Sequence, residues 1–221
     1  MMSILQEQSQ PDIQRHIAPC PKFMEMDGWI SVSPDMLAVE HDMHDVWSVR
    51  AAREITEWLS ALTGTSHPAA DESPPSQGQF RMVLSGAETS RYAEWFDRPF
   101  FVDQAAKPGY QAYQIAVLPD DRGLVVRGLD SQGVYWGMKT LKQCIAFENG
   151  RVWIPRLCIA DGADMEERGI WSQPFGMTSP YADLDRSLAY YKRWIDWMSD
   201  HKLNLFEFIV FGEAGGSDFH C

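Results

Sequence analysis

Hydrophobic residues recur at helical spacing in three parts of the chain. The spacing predicts one helix over about residues 46–62, a second that begins near residue 131, and a third over about residues 183–201. The three stripes consist of Val46, Val49, Ala52, Ile55, Leu59 and Leu62; of Val134, Met138, Leu141 and Ile145; and of Leu184, Leu188, Tyr191, Ile195 and Met198. Each helix is therefore expected to bury one face.

Shorter segments have the pattern of strands. Residues 111–118 alternate between two faces and are followed, after a turn, by the apolar residues 124–129, so the two runs are predicted to form a hairpin. Asp27-Gly28 separates two further short runs, which predicts another hairpin. Pro155 is expected to confine its strand to an edge or to lie at a beginning. Other strand-like runs cover residues 80–84, 151–161, 167–172 and 205–211, and the last is apolar enough for a parallel strand covered on both faces.

The second helix carries the most informative motif of the chain. From Asp130 to Gln143 the sequence reads D-x-x-G-x-Y-x-G-x-x-T-L-x-Q, directly after a strand-like run. Gly133 and Gly137 lie four residues apart near its start, and a glycine within a helix costs roughly 1 kcal/mol relative to alanine. Two such residues in one turn indicate that the helix lies close against the sheet.

This motif resembles the end of the small α/β domain, often called zincin-like, that precedes the catalytic barrel of family 20 glycoside hydrolases (β-N-acetylhexosaminidases). Residues 154–161 resemble the run I-P-x-x-x-I-x-D that leads from that domain to the first barrel strand. Arg168-Gly169 and Lys202-Leu-Asn204 are similar to the R-G and K-x-N that open the first two barrel strands. The resemblance implies an α+β chain, with a small mixed sheet that has helices on one face, followed by the first βαβ unit of an incomplete TIM barrel.

The resemblance also implies a domain division. Residues 1–19 are expected to be a disordered lead, residues 20–163 an accessory α/β domain, and residues 164–221 the truncated start of the barrel. A (β/α)₈ barrel needs eight units and about 250 residues, whereas two barrel strands fit here. The family's catalytic Asp-Glu pair stands on the fourth barrel strand, and no residue of this sequence matches it. An unpaired apolar strand edge would favour self-association.

Four residues near the two predicted barrel strands are candidate sugar contacts: Arg168, Trp171, Glu207 and Glu213. Trp171 has an aromatic face for stacking, although core packing is its ordinary alternative. Glu207 lies inside an apolar strand, where a buried carboxylate needs a partner. An ion pair in the core is an equal alternative, and a side chain that points outward is a third. Glu213 follows the C-terminal end of its strand, the active face of such barrels, although a solvated loop acid would look the same.

The sequence also departs from the family pattern. Gly176 occupies the place of the arginine that grips sugar hydroxyls, and Gln173 lies near the place of an aspartate. The usual H-x-H-x-x-D-D on the second barrel strand is replaced by residues 207–213, which read EFIVFGE. Both changes remove groups that hold an N-acetylhexosamine. A divergent relative is therefore expected, and α-N-acetylglucosaminidases and O-GlcNAc hydrolases, which carry a similar leading domain, stay open.

Composition excludes several classes of partner. The net charge of −12 argues against binding to nucleic acid or to anionic membranes. No apolar run of 18 residues and no secretory signal is visible, which predicts a cytoplasmic protein. His41 and His44 lack a third ligand, so no metal site is predicted, and no motif indicates a cofactor.

The functional prediction follows from the resemblance. The chain is expected to be the N-terminal part of a glycoside hydrolase that acts on amino-sugar glycosides resembling N-acetylhexosamine. As a fragment it is expected to be inactive, and its ligand is expected to be a carbohydrate. One alternative is a non-catalytic carbohydrate-binding or interaction domain, and another is a truncated gene product with no stable function.

Overall fold

A computed structural model describes residues 17–41, 46–67, 69–70, 78–86, 110–172 and 184–208. The chain divides into two compact units, Met1–Asp164 and Met165–Cys221.

The first unit contains a mixed sheet with eight strands among the described residues. The strands are β1 (Phe23–Val32), β2 (Leu37–His41), β3 (Ala69–Ala70), β4 (Phe80–Gly86), β5 (Tyr110–Val117), β6 (Gly123–Gly128), β7 (Ala146–Glu148) and β8 (Arg151–Ala163). Their order is β1-β8-β5-β6-β4-β2-β3, and β7 pairs with β8 outside this path. Strands β6, β4, β2 and β3 pair in parallel, while β1, β8 and β5 pair antiparallel.

Helices α1 (Val46–Thr63) and α2 (Ser131–Cys144) cover one face of this sheet. Alternate residues of β4 separate the two faces, as expected for a strand. Met82 and Leu84 belong to the main core together with Leu59 of α1, whereas Val83 belongs to a small cluster on the opposite face. The predicted mixed sheet with helices on one face is confirmed.

The two helices differ in how well their buried face was predicted. All four stripe residues of α2 are buried, at 0 to 8% exposure. In α1 the stripe is correct only from Ala52 onward, because Val46 and Val49 are 78% and 41% exposed. Ser48 and Ala51 are buried in their place. Their side chains are small, so they contribute little to a hydrophobic pattern, and the two valines gave a misleading signal.

Of the two predicted hairpins, one is confirmed. Strands β5 and β6 pair antiparallel around the expected turn, with Tyr113 and Ile115 facing the core. The hairpin predicted at Asp27-Gly28 is wrong, because residues 23–32 form the single strand β1. Gly28 has a φ of 75°, and the pairing of β1 with β8 shifts register between Met26 and Trp29. The glycine therefore serves a bulge, which lets β1 continue along a partner strand of 13 residues.

The position of Pro155 also corrects a prediction. Strand β8 lies between β1 and β5 rather than at an edge of the sheet. Pro155 pairs with Trp29 of β1, next to the bulge. On the other side of β8, the pairing with β7 ends at Trp153 and the pairing with β5 begins at Cys158. Proline is tolerated in this central strand because neither β5 nor β7 pairs with it there.

The second unit contains β9 (Gly169–Ser172), α3 (Leu184–Asp200) and β10 (Leu205–Phe208). Strand β10 pairs with β9 in parallel. Met198 of α3 is buried at 4% exposure, but Leu188 and Ile195 are 49% and 53% exposed, so the predicted burial of a single continuous face does not hold for these two. Leu205 and Glu207 are exposed as well, so β10 is not covered on both faces. None of the helices within the described ranges has the length and apolar character needed to cross a membrane.

The two glycines of the α2 motif provide a test of the fold. A Cβ at Gly133 would overlap the carbonyl oxygen of Ala112, and one at Gly137 would lie 2.5 Å from Val126 Cγ1. Backbone cannot move aside as a side chain can. We therefore expect Gly133→Ala to lower the free energy of unfolding by about 3 kcal/mol and Gly137→Ala by about 1–2 kcal/mol, after the gain in helix propensity.

Chemical denaturation would measure both values. Gly150→Ala is the control, because a Cβ there meets nothing within 4 Å and only the φ of 71° opposes it. Equal losses in all three variants would contradict the close approach of α2 to the sheet.

Candidate functional site

The motif that begins at Asp130 joins α2 to the sheet. Asp130 is the N-cap residue of α2, and its Oδ1 accepts a hydrogen bond from the Gly133 N–H at 2.7 Å. Its Oδ2 accepts a second hydrogen bond, at 2.8 Å, from the N–H of Gln111, which has a φ of 56° at the start of β5. The Asp130 carboxylate thus fixes both the beginning of α2 and the positive-φ residue Gln111 at the start of β5.

Thr140 of the same motif belongs to a buried polar group between α2, β5 and β8. The Tyr113 hydroxyl donates to Asp161 Oδ2 at 2.8 Å and lies 2.6 Å from Thr140 Oγ1. All three residues are at most 7% exposed. Burial, together with the Asp161 charge, raises the pKa of Tyr113 well above its ordinary value, so the hydroxyl keeps its proton. Tyr113 is therefore a permanent hydrogen-bond donor to a buried carboxylate.

Tyr135 and its neighbours on α2 form an ionic cluster with α1. Glu54 of α1 accepts hydrogen bonds from the Tyr135 hydroxyl at 2.8 Å, from Lys139 Nζ at 2.5 Å and from Lys142 Nζ at 2.8 Å. Arg50 lies over the Tyr135 ring, 5.2 Å from its centroid. Burial opposes the charge of Glu54, but the hydrogen bonds from the two lysines outweigh it and lower its pKa.

Gln143, the last residue of the motif, holds the beginning of the described chain. Its Oε1 accepts from the Ala18 N–H at 2.7 Å, and its Nε2 donates to the Ala18 carbonyl at 3.1 Å. Ile17 is 5% exposed within the core. Residues 17–19 belong to the disordered lead predicted over residues 1–19, and among them the backbone of Ala18 is bonded by a side chain 125 positions away. The remainder of that predicted lead lies outside the described residues.

The residues that make the α2 motif recognisable are thus all used in packing. Asp130, Thr140 and Gln143 are hydrogen-bonded within the domain, and the two glycines permit close approach. None of these groups is an exposed acid or nucleophile in a cleft. The motif indicates an architecture and carries no chemistry of its own.

In the second unit, Arg168 and Asn204 form a clasp between the starts of β9 and β10. Asn204 Oδ1 accepts from the Arg168 N–H, and Asn204 Nδ2 donates to the Glu166 carbonyl, both at 2.7 Å. The Arg168 guanidinium donates to the carbonyls of Lys202 at 2.9 Å and Met165 at 2.7 Å. The Arg168 carbonyl accepts from the N–H groups of Asn204 and Leu205.

Gly169 completes the clasp, because a Cβ at this position would overlap the Leu205 carbonyl oxygen. Lys202 adopts a φ of 59° at the turn after α3 and is itself 5% exposed. The R-G and K-x-N signatures therefore set the register of two neighbouring strands. This role of Arg168 was not predicted from the sequence, where its only signal is that both signatures stand at the start of a strand.

The other candidate sugar contacts have different positions. Trp171 of β9 and Glu207 of β10 are register partners, so the backbone brings these two residues side by side. Glu207 is exposed, which agrees with the outward-pointing alternative rather than with an ion pair in the core. Glu213 lies outside the described residues, as do Gln173 and Gly176. Sugar contact by Trp171, Glu207 and Glu213 stays a prediction.

This unit also contains an aromatic series, not predicted from the sequence, that lies on α3 and continues to His201 directly after it. Tyr190, Trp194, Trp197 and His201 follow each other at steps of four and three residues, with ring centroids 6.1, 5.8 and 4.3 Å apart. The first two pairs are inclined at 59° and 69°. Rings at such angles pack on one another and do not form a flat platform for a sugar chain.

The sequence was compared with models of protein families and with curated proteins. The family model described as glycosyl hydrolase family 20, domain 2, matches residues 15–162. A search of curated proteins finds no match to this sequence.

Solved structures of similar fold include three hydrolases of low sequence identity. An exo-β-N-acetylglucosaminidase of Vibrio harveyi, in complex with N-acetylglucosamine, is 15% identical with a TM-score of 0.61, over 89% of this chain and 25% of its own. An N-acetyl-β-hexosaminidase of Streptomyces plicatus is 16% identical with a TM-score of 0.62, over 90% and 34%. The β-N-acetylhexosaminidase of Streptomyces coelicolor is 16% identical with a TM-score of 0.57, over 90% and 35%. The chain thus spans about a quarter to a third of the length of these proteins.

The ionic cluster around Glu54 predicts a pH dependence of stability. A carboxylate whose pKa is lowered by folding stabilises the protein above its unfolded-state pKa of about 4.3, and this contribution is lost as pH falls through the folded-state pKa. We expect Glu54→Gln to lower the free energy of unfolding by about 1–3 kcal/mol at pH 7, because Lys139 loses its counter-charge.

Denaturation of both proteins between pH 7 and about pH 3 checks this prediction, since the curves should converge at the acid end. Glu57→Gln is the matched control, because Glu57 is an exposed residue of the same helix. A difference that stays constant down to pH 3 would show that the charge of Glu54 is not responsible.

The clasp predicts that Arg168 is a structural residue. We expect Arg168→Ala to lower the stability of the second unit by about 1–3 kcal/mol and Asn204→Ala by about 1–2 kcal/mol, because each removes hydrogen bonds between β9 and β10. Hydrogen exchange at the Leu205 amide, which donates to the Arg168 carbonyl, should accelerate in both variants.

Arg193→Ala, an exposed change on α3, provides the control and should leave this amide protected. Arg168 would instead be a ligand contact if its replacement left exchange unchanged and weakened the binding of an amino sugar.

Proposed function

The chain belongs to glycosyl hydrolase family 20 through its domain 2, and on this premise we propose that it forms the N-terminal part of an enzyme that hydrolyses amino-sugar glycosides resembling N-acetylhexosamine. In this proposal the first unit is an accessory domain and the second unit is the opening of a catalytic (β/α)₈ barrel. The observation that carries it is the parallel pairing of β9 with β10 across α3, which follows the matched domain along the chain.

The geometry of the second unit supports its assignment as the opening of a (β/α)₈ barrel. A strand, a helix and a parallel neighbouring strand are the repeating unit of such a barrel. Apolar flanks of α3, represented by Leu188 and Trp197, are half exposed in the described unit. A helix on the outside of a barrel packs against neighbouring helices as well as strands, so apolar flanks of this kind suit it.

A carbohydrate ligand is supported by the names of proteins with the same fold. The structure from Vibrio harveyi is that of an N-acetylglucosaminidase in complex with N-acetylglucosamine. At 15% identity this likeness concerns the fold, so the sugar and the linkage belong to the proposal. The differences at Gln173 and Gly176 favour a ligand that is held differently from an ordinary N-acetylhexosamine.

Catalysis in this proposal follows the substrate-assisted route of the family. The acetamido oxygen of the sugar acts as the nucleophile, and a protein carboxylic acid donates a proton to the leaving oxygen. No residue of the 221 matches the acid pair of the family, so we expect the isolated chain to have no turnover. The register partners Trp171 and Glu207 would contribute contacts to the sugar and no proton transfer.

The alternative function is a non-catalytic carbohydrate-binding or interaction domain. An exposed row of coplanar aromatic rings would have favoured binding to a polysaccharide, but the α3 rings are inclined to one another. A role as an interaction domain is better supported than a role in carbohydrate binding. The exposed side chains of Ile195, Trp197 and Leu205 give the isolated second unit an apolar surface. We expect this surface to promote self-association of the chain.

Turnover of 4-nitrophenyl N-acetyl-β-D-glucosaminide tests the proposed function. The assay compares the product of the complete reading frame that contains this sequence with the 221-residue chain alone. We expect release of 4-nitrophenol by the former and none by the latter. Inactivity of both, together with saturable binding of N-acetylglucosamine, would favour the binding domain, and inactivity without binding would remove the carbohydrate assignment.

A further inference from the structure

A cleft opens at the end of the first unit where the sheet divides. Strand β8 has 13 residues and continues, paired with β1 and β7, past the end of β5. On the other side of the gap, the turn between β5 and β6 packs on the beginning of β4, where the Arg81 N–H donates to the Arg122 carbonyl at 3.0 Å. The two walls of the cleft are therefore held by separate parts of the same sheet.

The cleft has the size and lining of a small-molecule site. Its volume is about 770 Å³, within the range of about 300–1,000 Å³ for ligand pockets. Apolar side chains of Ile30, Val32, Met36 and Phe80 contribute part of the lining. Polar groups come from Ser31 and from two arginines, one on each wall.

Arg151 is held in a defined orientation by β1. Its Nε donates to Ser31 Oγ and its Nη2 donates to the Ser31 carbonyl, both at 2.9 Å. These two bonds use one edge of the guanidinium and leave Nη1 available. A planar guanidinium fixed in this way is suited to a carboxylate or another oxyanion, whose oxygens match its donors.

Arg122 supplies the second positive charge from the opposite wall. Its side chain is 79% exposed, and its nearest carboxylate, Asp120, lies 4.0 Å from Nε, at the limit of an ion pair. Asp121, the acidic residue among the described lining residues, is bound on its other side by the Arg156 guanidinium, with Nη2 2.6 Å from Oδ2. The Ser33 hydroxyl donates to Asp35, whose carboxylate lies close enough to Arg151 for the two charges to attract each other.

From this arrangement we infer that the cleft binds a small organic anion, whose carboxylate or sulfate group lies between Arg122 and Arg151 and whose apolar body lies on the floor of the cleft. The charged residues of the described lining are these two arginines and Asp121, whose carboxylate is paired with Arg156. The inference concerns the first unit alone and does not rest on the proposed glycosidase function.

Benzoate is a suitable probe, because it joins a carboxylate to a small apolar ring. Titration of the ¹⁵N-labelled chain should shift the backbone amides of Ser31, Arg122 and Arg151 together, with a saturable Kd on the order of 1 mM. Benzyl alcohol, which has the ring without the charge, should give at least tenfold weaker binding. Methyl β-D-glucuronide distinguishes an acidic sugar from other organic anions, since preferential binding would identify the anion as part of a glycan.

Variants of the two cleft arginines distinguish the effect of their positive charge from the effect of the guanidinium geometry. We expect Arg122→Gln and Arg151→Gln each to weaken benzoate binding at least tenfold, and Arg151→Lys to weaken it less, because a lysine keeps the charge but cannot keep the fork on Ser31. Arg53→Gln is the control, since Arg53 is an exposed arginine of α1 that does not line the cleft.

The inference would be overturned by the absence of a saturable shift up to about 20 mM benzoate, well above the expected Kd. It would also be overturned if the control variant weakened binding as much as the two cleft variants, which would indicate a general effect of charge. Thermal denaturation of each variant verifies that its fold is kept.

Discussion

The first unit depends on the close approach of α2 to the sheet. Without side chains at Gly133 and Gly137, the helix axis can lie near the backbone of β5, and the carbonyl of Ala112 occupies the space where a Cβ would stand. Close approach buries polar backbone, which must then find partners. Asp130 supplies them at the start of the helix by accepting from Gly133 and from Gln111.

The same approach brings the Thr140 hydroxyl of α2 to the Tyr113 hydroxyl of β5, which in turn donates to the buried Asp161. Tyr113 crosses the interface between helix and sheet and is bonded to Thr140 on one side and to Asp161 on the other. Asp161 stands near the end of β8, the strand that leads out of the first unit. Helix α2 is thus connected by hydrogen bonds, through Tyr113, to β8, the strand by which the chain leaves the first unit.

Much of this fold could be predicted from the sequence, and the exceptions have identifiable causes. The α2 stripe and the β5–β6 hairpin were predictable because large apolar residues and a Pro-Asp-Asp-Arg-Gly turn signal them directly. The bulge at Gly28 was mistaken for a hairpin, because Asp-Gly favours both and only the length of β8 decides between them. Val46 and Val49 led to a wrong prediction of the buried face at the start of α1. The residues buried there are small ones that fit between the helix and its neighbours, and they contribute little to a hydrophobic pattern.

The candidate site was less predictable than the fold, and the reason lies in what the recognisable residues do. Arg168 was selected because it belongs to a signature, yet its guanidinium donates to two backbone carbonyls and thereby joins the ends of β9 and β10. Residues that recur in a family can recur because they hold strands in register, as Asn204 does here. The positions by which the resembled family holds its sugar differ in this chain, which has Gly176 in place of an arginine and residues 207–213 in place of the usual run. This is why the family and its architecture could be recognised from one sequence, while the substrate had to be left to proposal and experiment.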